Sequence, residues 1–350
     1  MANGLFVFVL AAFFIVLLRW SFKTLPGEGW QIVASVPVFK EESGRWRGVN
    51  LTYYGLLVAS AYDVAGVILF ILLGTLKIPL TGIFVMVLTL LLICVPASRF
   101  IAKIVEKKLY TFTIGGASFV GILIIPWALW LTNVTLGARS NFHIPLVPFL
   151  AAFVISYSFG ETIGRLACIS FGCCYGKPLS QSHPILRRIF DKYCFTFSGK
   201  TKKIAYESSL DGVKVIPIQA ITSILYLITG IFSMLLFLQS RYIVAFILTV
   251  VVTQAWRAFS EIFRADYRGG RRISVYQIMA IISIVYSLGI GYFSPSASVT
   301  QTDVRIGLVS LWNPSVISFF FLLWVAIFLY TGRSTVTGST LTFHVHRDRV

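Results

Sequence analysis

The sequence predicts an all-α, polytopic membrane protein of about nine transmembrane helices with a small extramembrane cap near residues 176–214, and three observations carry that reading. Of 350 residues 57% are hydrophobic and only 12% charged, with a mean hydropathy of +0.83, whereas soluble domains carry about 25% charge. Apolar runs of bilayer length, roughly 17–25 residues, recur at 4–20, 50–74, 79–98, 112–133, 144–168, 215–239, 242–264, 273–293 and 315–331. The connections between them alternate between basic and nearly uncharged. Together these exclude a water-soluble fold and a disordered chain, and five cysteines in 350 residues are too sparse for a disulfide scaffold.

The first run has no basic residue before it and no small-residue cleavage site, which reads as a retained helix rather than a signal peptide. The second opens on Tyr53 and Tyr54, aromatic residues suited to a membrane interface, and carries Asp63. The fourth opens on Gly115-Gly116-Ala117-Ser118, small residues that let a helix or a lipid chain approach closely. The fifth holds Glu161, Gly164 and Arg165, the sixth begins near Gln219, the seventh holds Arg257, Glu261 and Arg264, and the eighth begins near Gln277. In the long connection, Leu210-Asp211-Gly212 lies between Lys202–Ser208 and Val213–Ile218, a β-hairpin signal for the cap. The stretch from Ser21 to Asn50 suits an interfacial segment. No internal repeat is visible. The expected units are 1–49, an extra N-terminal helix and linker; 50–295, the membrane core; and 296–350, an extra C-terminal helix with a basic tail.

The net charge of +17 is not gathered into the basic face of a nucleic-acid-binding module, so its expected partners are a membrane and anionic lipid headgroups, not nucleic acid. Connections after odd-numbered spans hold 24 of the 30 Lys and Arg: Arg19, Lys23, Lys40, Arg45 and Arg47; Arg99, Lys103, Lys107 and Lys108; Lys177, Arg187, Arg188, Lys192, Lys200, Lys202, Lys203 and Lys214; Arg264, Arg268, Arg271 and Arg272; and Arg333, Arg347 and Arg349. The other four connections hold one each. By the positive-inside rule the N-terminus is outside and the C-terminus cytoplasmic.

A charge inside hydrocarbon is costly enough to require a partner or a purpose. Glu161 and Arg165 are four apart, as are Arg257 and Glu261, with Arg264 one turn further, so each set shares a helix face. Two intramembrane arginines on separate helices suit a phosphodiester or another oxyanion, because guanidinium gives bidentate donors and stays charged when desolvated. The competing reading is two self-neutralised pairs that knit helices together. Asp63 either faces a cavity or pairs locally. Cys168, Cys173 and Cys174 lack a fourth ligand at customary spacing or an adjacent histidine, so no metal and no cofactor is expected there. A thiolate beside Arg165 is one reading and small side chains packing at a glycine-rich helix end is the other. Tyr54, Gln219 and Gln277 serve equally as ligands or interfacial anchors, and His143, His183, His344 and His346 all fall outside the bilayer core.

In order along the chain, these residues resemble the bacterial prolipoprotein diacylglyceryl transferase family. Tyr53-Tyr54-Gly55 matches its early aromatic-Tyr-Gly, Gly115 to Leu123 its glycine-rich segment, and Gly164-Arg165 to Gly176, through Gly172, its signature. Pro217-Ile218-Gln219 is similar to its Pro-x-Gln, Arg257 to Arg264 to its arginine–glutamate motif, and Ser274 to Gln277 to its last polar motif. The resemblance implies a multi-pass enzyme of the bacterial cytoplasmic (inner) membrane that moves a diacylglyceryl group from phosphatidylglycerol to the cysteine thiol of a lipoprotein precursor. Arg165 and Arg257 would hold the phosphate, Glu261 would orient Arg257, and Tyr54 would contact the headgroup, with Gly116, Gly164, Gly172, Gln219, Arg264 and Gln277 around the substrate. Departures fall on the chemistry: the family histidine is Val120, a glycine is Ile122, an asparagine is Cys168, a glutamate is Cys173 and a second histidine is Ile216. A non-catalytic protein that binds or moves phospholipid is therefore the alternative. The charge rule also puts the cap on the cytoplasmic side, opposite to the family's arrangement, which implies an acceptor other than an exported lipoprotein.

Overall fold

The computed structural model describes residues 1–107, 113–266, 273–294 and 302–350. Lys108, Arg268, Arg271 and Arg272 of the charge pattern, and the boundary expected at 295–296, lie outside them. Among the described residues nine helices are long and apolar enough to cross a membrane, one for each expected span. They are α1 (Ala2–Thr24), α2 (Tyr53–Thr75), α3 (Leu80–Glu106), α4 (Ile114–Thr132), which continues through a π turn at Asn133–Gly137 into α5 (Ala138–Ser140), and then α6 (Leu146–Phe171). After the short cap helices α7 (Pro184–Phe190) and α8 (Lys203–Ser208) come α9 (Ile218–Leu238), α10 (Tyr242–Ser260) and α11 (Val275–Phe293). A short α12 (Val304–Leu311) precedes the last span, α13 (Pro314–Thr331).

Helix α6 is the axis of the bundle, with 78% of its apolar window buried, and it packs against α2, α9 and α10. Its contact with α1 includes Phe14 on Phe159, ring centroids 5.4 Å apart. Enclosure of that degree makes any unpaired polar group on α6 costly.

Among the described residues, the connections after the first, fifth and ninth spans, with the start of the one after the seventh, contact one another in one layer. In the first, the stretch after α1 forms an antiparallel hairpin, β1 (Ile32–Lys40) and β2 (Trp46–Thr52). The expected basic tail supplies a third strand, β5 (Arg333–Leu341), paired with β2. The buried positions of β2 include Asn50 and Thr52, whose partners are Ser35, Thr337 and the Gly332 carbonyl. An inward face that is polar leaves no hydrophobic alternation to read. In the cap, the expected hairpin has another partner: Lys214–Val215 (β4) pairs with Phe195–Thr196 (β3), while Lys203–Ser208 is helical. Lys, Ala and Glu favour helix in that segment, and Ser209 ends it in the left-handed conformation at φ 52°.

Lys202 ties this layer together. Its ammonium group is fully buried and donates to the carbonyls of Leu25, at the end of α1 (3.1 Å), and Ser170, in the last turn of α6 (2.7 Å). Both acceptors lie where carbonyls lack helical partners and where the helix dipole is negative. Gln31 and Thr201 exchange hydrogen bonds of 2.7 Å beside it. Burial pushes the Lys202 ammonium down to about 8, with Glu28 opposing. Between that value and its ordinary 10.5 the unfolded chain holds a proton that the folded chain does not, so stability rises with pH across this window. Denaturation of detergent-solubilised protein should show wild type gaining about 3 kcal/mol from pH 8 to 10.5 relative to Lys202→Met; parallel curves would refute the assignment.

Where α2 begins, Gly55 lies against the backbone of Gly332, and a Cβ on Gly55 would collide with the Gly332 Cα. The added last helix is thus seated on the first turn of the core. Gly55→Ala should destabilise the protein by about 1–3 kcal/mol, the usual cost of overpacking, and an unchanged melting temperature would contradict this close approach.

Candidate active site

Tyr157, Glu161, Gly164 and Arg165 recur at helical spacing along α6 and so share one face. The Glu161 carboxylate is 3% exposed and receives Arg165 Nη2 at 2.9 and 3.1 Å and the Tyr157 hydroxyl at 3.1 Å. From α10, Arg257 Nη1 approaches the same carboxylate at 3.7 Å and donates to the Tyr157 hydroxyl at 2.9 Å. One carboxylate therefore serves two guanidinium groups from two helices, and the cluster carries a formal charge of +1. The expected Arg257–Glu261 pair does not form. Helix α10 ends at Ser260 and tightens into a 3₁₀ turn at Glu261–Phe263, which removes the four-residue register, and Glu261 instead lies 4.0 Å from Arg264. The place expected of Glu261 beside Arg257 is filled by Glu161 and Tyr157.

The cluster separates two cavities. On one side is a small polar cavity lined by Arg165, Arg257, Arg264, Gln219, Glu261, Cys174, Tyr226 and neighbouring residues. Gln219 donates to the Cys173 carbonyl at 2.9 Å, while its own buried amide oxygen and Nε of Arg165 have no hydrogen-bond partner among the described residues. On the other side is an apolar groove of about 230 Å³, open at its mouth, between α2, α3, α4, α6 and α13. Tyr157, Glu161 and Gly164 form its polar end, and a Cβ on Gly164 would meet nothing within 4 Å. A charged cavity joined to an apolar groove suits an amphiphile with an anionic head.

The other expected residues divide. Arg264 lines the polar cavity but is held bidentately by Asp266 at 2.7 and 2.8 Å, with its strand segment bridged to Gly176. Tyr54 stands in the first turn of α2 with its ring 5.4 Å from Phe171 at the end of α6. Gln277 spends its amide on the backbone, closing a capping box with Ser274 and donating to the Ala258 carbonyl at 3.0 Å, so it caps α11 and secures α10 rather than lining the cavity. Gly116 faces Ile101 of α3, whereas its neighbour Gly115 faces Arg257: a Cβ there would lie 2.8 Å from Arg257 Nε and Nη2. Asp63 is half-buried with one carboxylate oxygen unpartnered, and it lines neither cavity; nor does Val120. Tyr157, Gly115 and Asp266 are additional to the sequence expectation. The i,i+4 spacing of Tyr157 and Glu161 was a signal for the first.

Gly172 ends α6 at φ +71° with a Schellman arrangement: its N–H donates to the Ile169 carbonyl (3.1 Å) and that of Cys173 to the Cys168 carbonyl (3.0 Å). A Cβ at Gly172 would also press on Lys202 at 3.1 Å, so glycine is required on both counts and acts through the turn. This turn folds Cys173 back onto Cys168, and the sulfurs of Cys168, Cys173 and Cys174 lie within 4.8 Å of one another. Hydrogen bonding to the other two sulfurs, with burial, pushes the Cys173 thiol well up, against the expectation of a thiolate beside Arg165.

The profile of one family, described as prolipoprotein diacylglyceryl transferase, matches residues 45–293, and the chain belongs to that family. No curated protein matches the chain.

Because Glu161 is the counter-charge of both arginines, Glu161→Gln leaves two like charges buried and should cost about 3–5 kcal/mol of stability. Added anionic phospholipid should restore part of that loss in a thermal-shift measurement, while a zwitterionic lipid should not. Equal effects of the two lipids would remove the anion site.

Proposed function

We propose that this member of the prolipoprotein diacylglyceryl transferase family takes a diacylglyceryl group from phosphatidylglycerol and transfers it to an acceptor thiol. The arrangement that carries the reading is the Arg165–Glu161–Arg257 cluster set between a polar cavity and an apolar groove. The phosphodiester, with one negative charge, matches the +1 of the cluster; Arg165 and Arg257 hold it, and the acyl chains lie in the groove past Gly164. The unpartnered Gln219 amide oxygen accepts from a headgroup hydroxyl. As the acceptor sulfur bonds to the glycerol carbon, the bond from that carbon to the phosphate oxygen breaks, and glycerol phosphate leaves with a second negative charge. Guanidinium groups already fixed by Glu161 and Tyr157 stabilise that developing charge without reorganising. Glu161 and Tyr157 are positioning residues in this scheme.

Val120 at the family's histidine position favours a second reading, a phospholipid-binding or lipid-moving protein without turnover. The positive-inside rule places the basic layer, and with it the polar cavity, at the cytoplasmic face of a bacterial cytoplasmic membrane.

Purified protein given glycerol-labelled phosphatidylglycerol, with the label in the diacylglyceryl moiety, and a cysteine-containing lipobox peptide should label the peptide. Arg257→Ala should slow transfer by about 10²-fold, the loss typical of a donor to a developing oxyanion. Transfer at the wild-type rate in Arg257→Ala would defeat the assignment of the arginines. Binding of phosphatidylglycerol that depends on Arg257, without labelled peptide, would select the second reading.

A further inference from the structure

The three thiols at the end of α6 belong to no step described so far. Cys168 is in the last turn of the helix, Cys173 is carried back to it by the Gly172 turn, and Cys174 follows in the left-handed conformation at φ 56°. Their backbone is held from three directions, by the Schellman hydrogen bonds, by Gln219 on the Cys173 carbonyl, and by the cap packed over Gly172. A tetrahedral ion with metal–sulfur bonds of about 2.3 Å requires sulfurs about 3.8 Å apart, and a triangle with no side above 4.8 Å reaches that spacing by small side-chain rotations. Three sulfur donors select a soft, thiophilic ion over calcium or magnesium. Arg165, Arg264 and Lys203 all lie within electrostatic range of these sulfurs. Three thiolates around a divalent ion leave a net charge of −1, which these cations offset. Among the described residues three protein ligands converge, and Cys174 lines the polar cavity beside Arg165 and Gln219. A site with three protein ligands keeps its fourth position for water or substrate.

We propose that Cys168, Cys173 and Cys174 bind one thiophilic divalent ion of the zinc class, whose fourth position opens on the arginine-lined cavity and takes the acceptor thiol. The second half rests on the transfer reaction proposed above. A thiol coordinated to such an ion is deprotonated outright; its proton passes to water at the cavity mouth. The sulfur then forms the S–C bond while the C–O bond to phosphate breaks, and the electron pair leaves on the phosphate oxygen toward Arg165 and Arg257. Acceptor activation then needs no histidine, in a chain where Val120 and Ile216 occupy the family's histidine positions.

The test uses full-length protein in detergent, reduced and stripped of metal, titrated with Co²⁺ as a spectroscopic probe. A thiolate-to-cobalt charge-transfer band should saturate at about one ion per chain and vanish when Zn²⁺ is added. Cys173→Ser and Cys174→Ser should lose the band, and Cys94→Ser and Cys194→Ser should keep it. Independently of how variants fold, Zn²⁺ should shield Cys173 and Cys174 of the wild type from alkylation read by mass spectrometry, and leave Cys194 reactive. The lipobox cysteine peptide should shift the cobalt spectrum, and its serine counterpart should not. No saturable binding, or a band that survives Cys173→Ser and Cys174→Ser, overturns the site. A bound ion whose spectrum ignores the cysteine peptide, or full transfer by metal-stripped protein, overturns the acceptor role and leaves the transferase reading standing. A peptide-sensitive cobalt site in a protein that transfers nothing upholds the site and rejects that reading instead.

Discussion

A single carboxylate, Glu161, neutralises guanidinium groups from two helices inside an apolar bundle, and the rest of the site is arranged by that constraint. An unpaired charge in this setting is expensive, so Arg165 and Arg257 must converge on the same oxygens. Convergence draws α10 against α6, requires Gly115 where the Arg257 side chain crosses the start of α4, and leaves the cluster one positive charge in excess. A structural salt bridge would be balanced; this one has an anion's worth of charge left over, between a polar cavity and an apolar groove. The same groups thus hold one another in place, and the excess positive charge is the feature on which the proposed phosphate site rests.

The segments flanking the family-matched region are built into this core rather than appended to it. Helix α1 reaches α6 through Phe14, and its last carbonyls receive Lys202 from the cap. The C-terminal strand joins the hairpin that leads into α2, and Gly332 and Gly55 meet backbone to backbone. Alternate connections share one side of a bundle of spans, and among the described residues the first, fifth and ninth of them pack together there. Charge distribution and tertiary packing give the same grouping of connections from independent physics, lipid electrostatics in one case and hydrogen bonding in the other.

At the positions that the family resemblance gives to histidine stand Val120 and Ile216, which are apolar and line neither cavity, while Arg165, Arg257 and Glu161 form one cluster beside the apolar groove. Of the three clustered cysteines, Cys174 lines the polar cavity beside Arg165, and Cys168 and Cys173 stand behind it within 4.8 Å of its sulfur.

Hydropathy alone determined the nine spans, because each must supply a full bilayer thickness of apolar side chains, and it located the two arginines and Glu161 as the costly groups. Motif order identified the family, and three of its residues, Arg165, Gln219 and Arg257, meet around one polar cavity although they come from three helices. Partner choice was beyond local spacing. The i,i+4 rule paired Arg165 with Glu161 correctly and gave Arg257 to Glu261, because it assumes an unbroken helix that the 3₁₀ turn interrupts. The sheet of β1, β2 and β5 escaped notice because its covered face is polar and its third strand comes from the far end of the chain. Convergence of the three sulfurs was half legible: a glycine closing a helix brings the residues on its two sides together, but the direction of Cys174 toward the cavity depends on the cap packed over Gly172. Hydrophobic length and local turn chemistry are properties of short segments, whereas which charge meets which counter-charge is decided by helices distant in sequence.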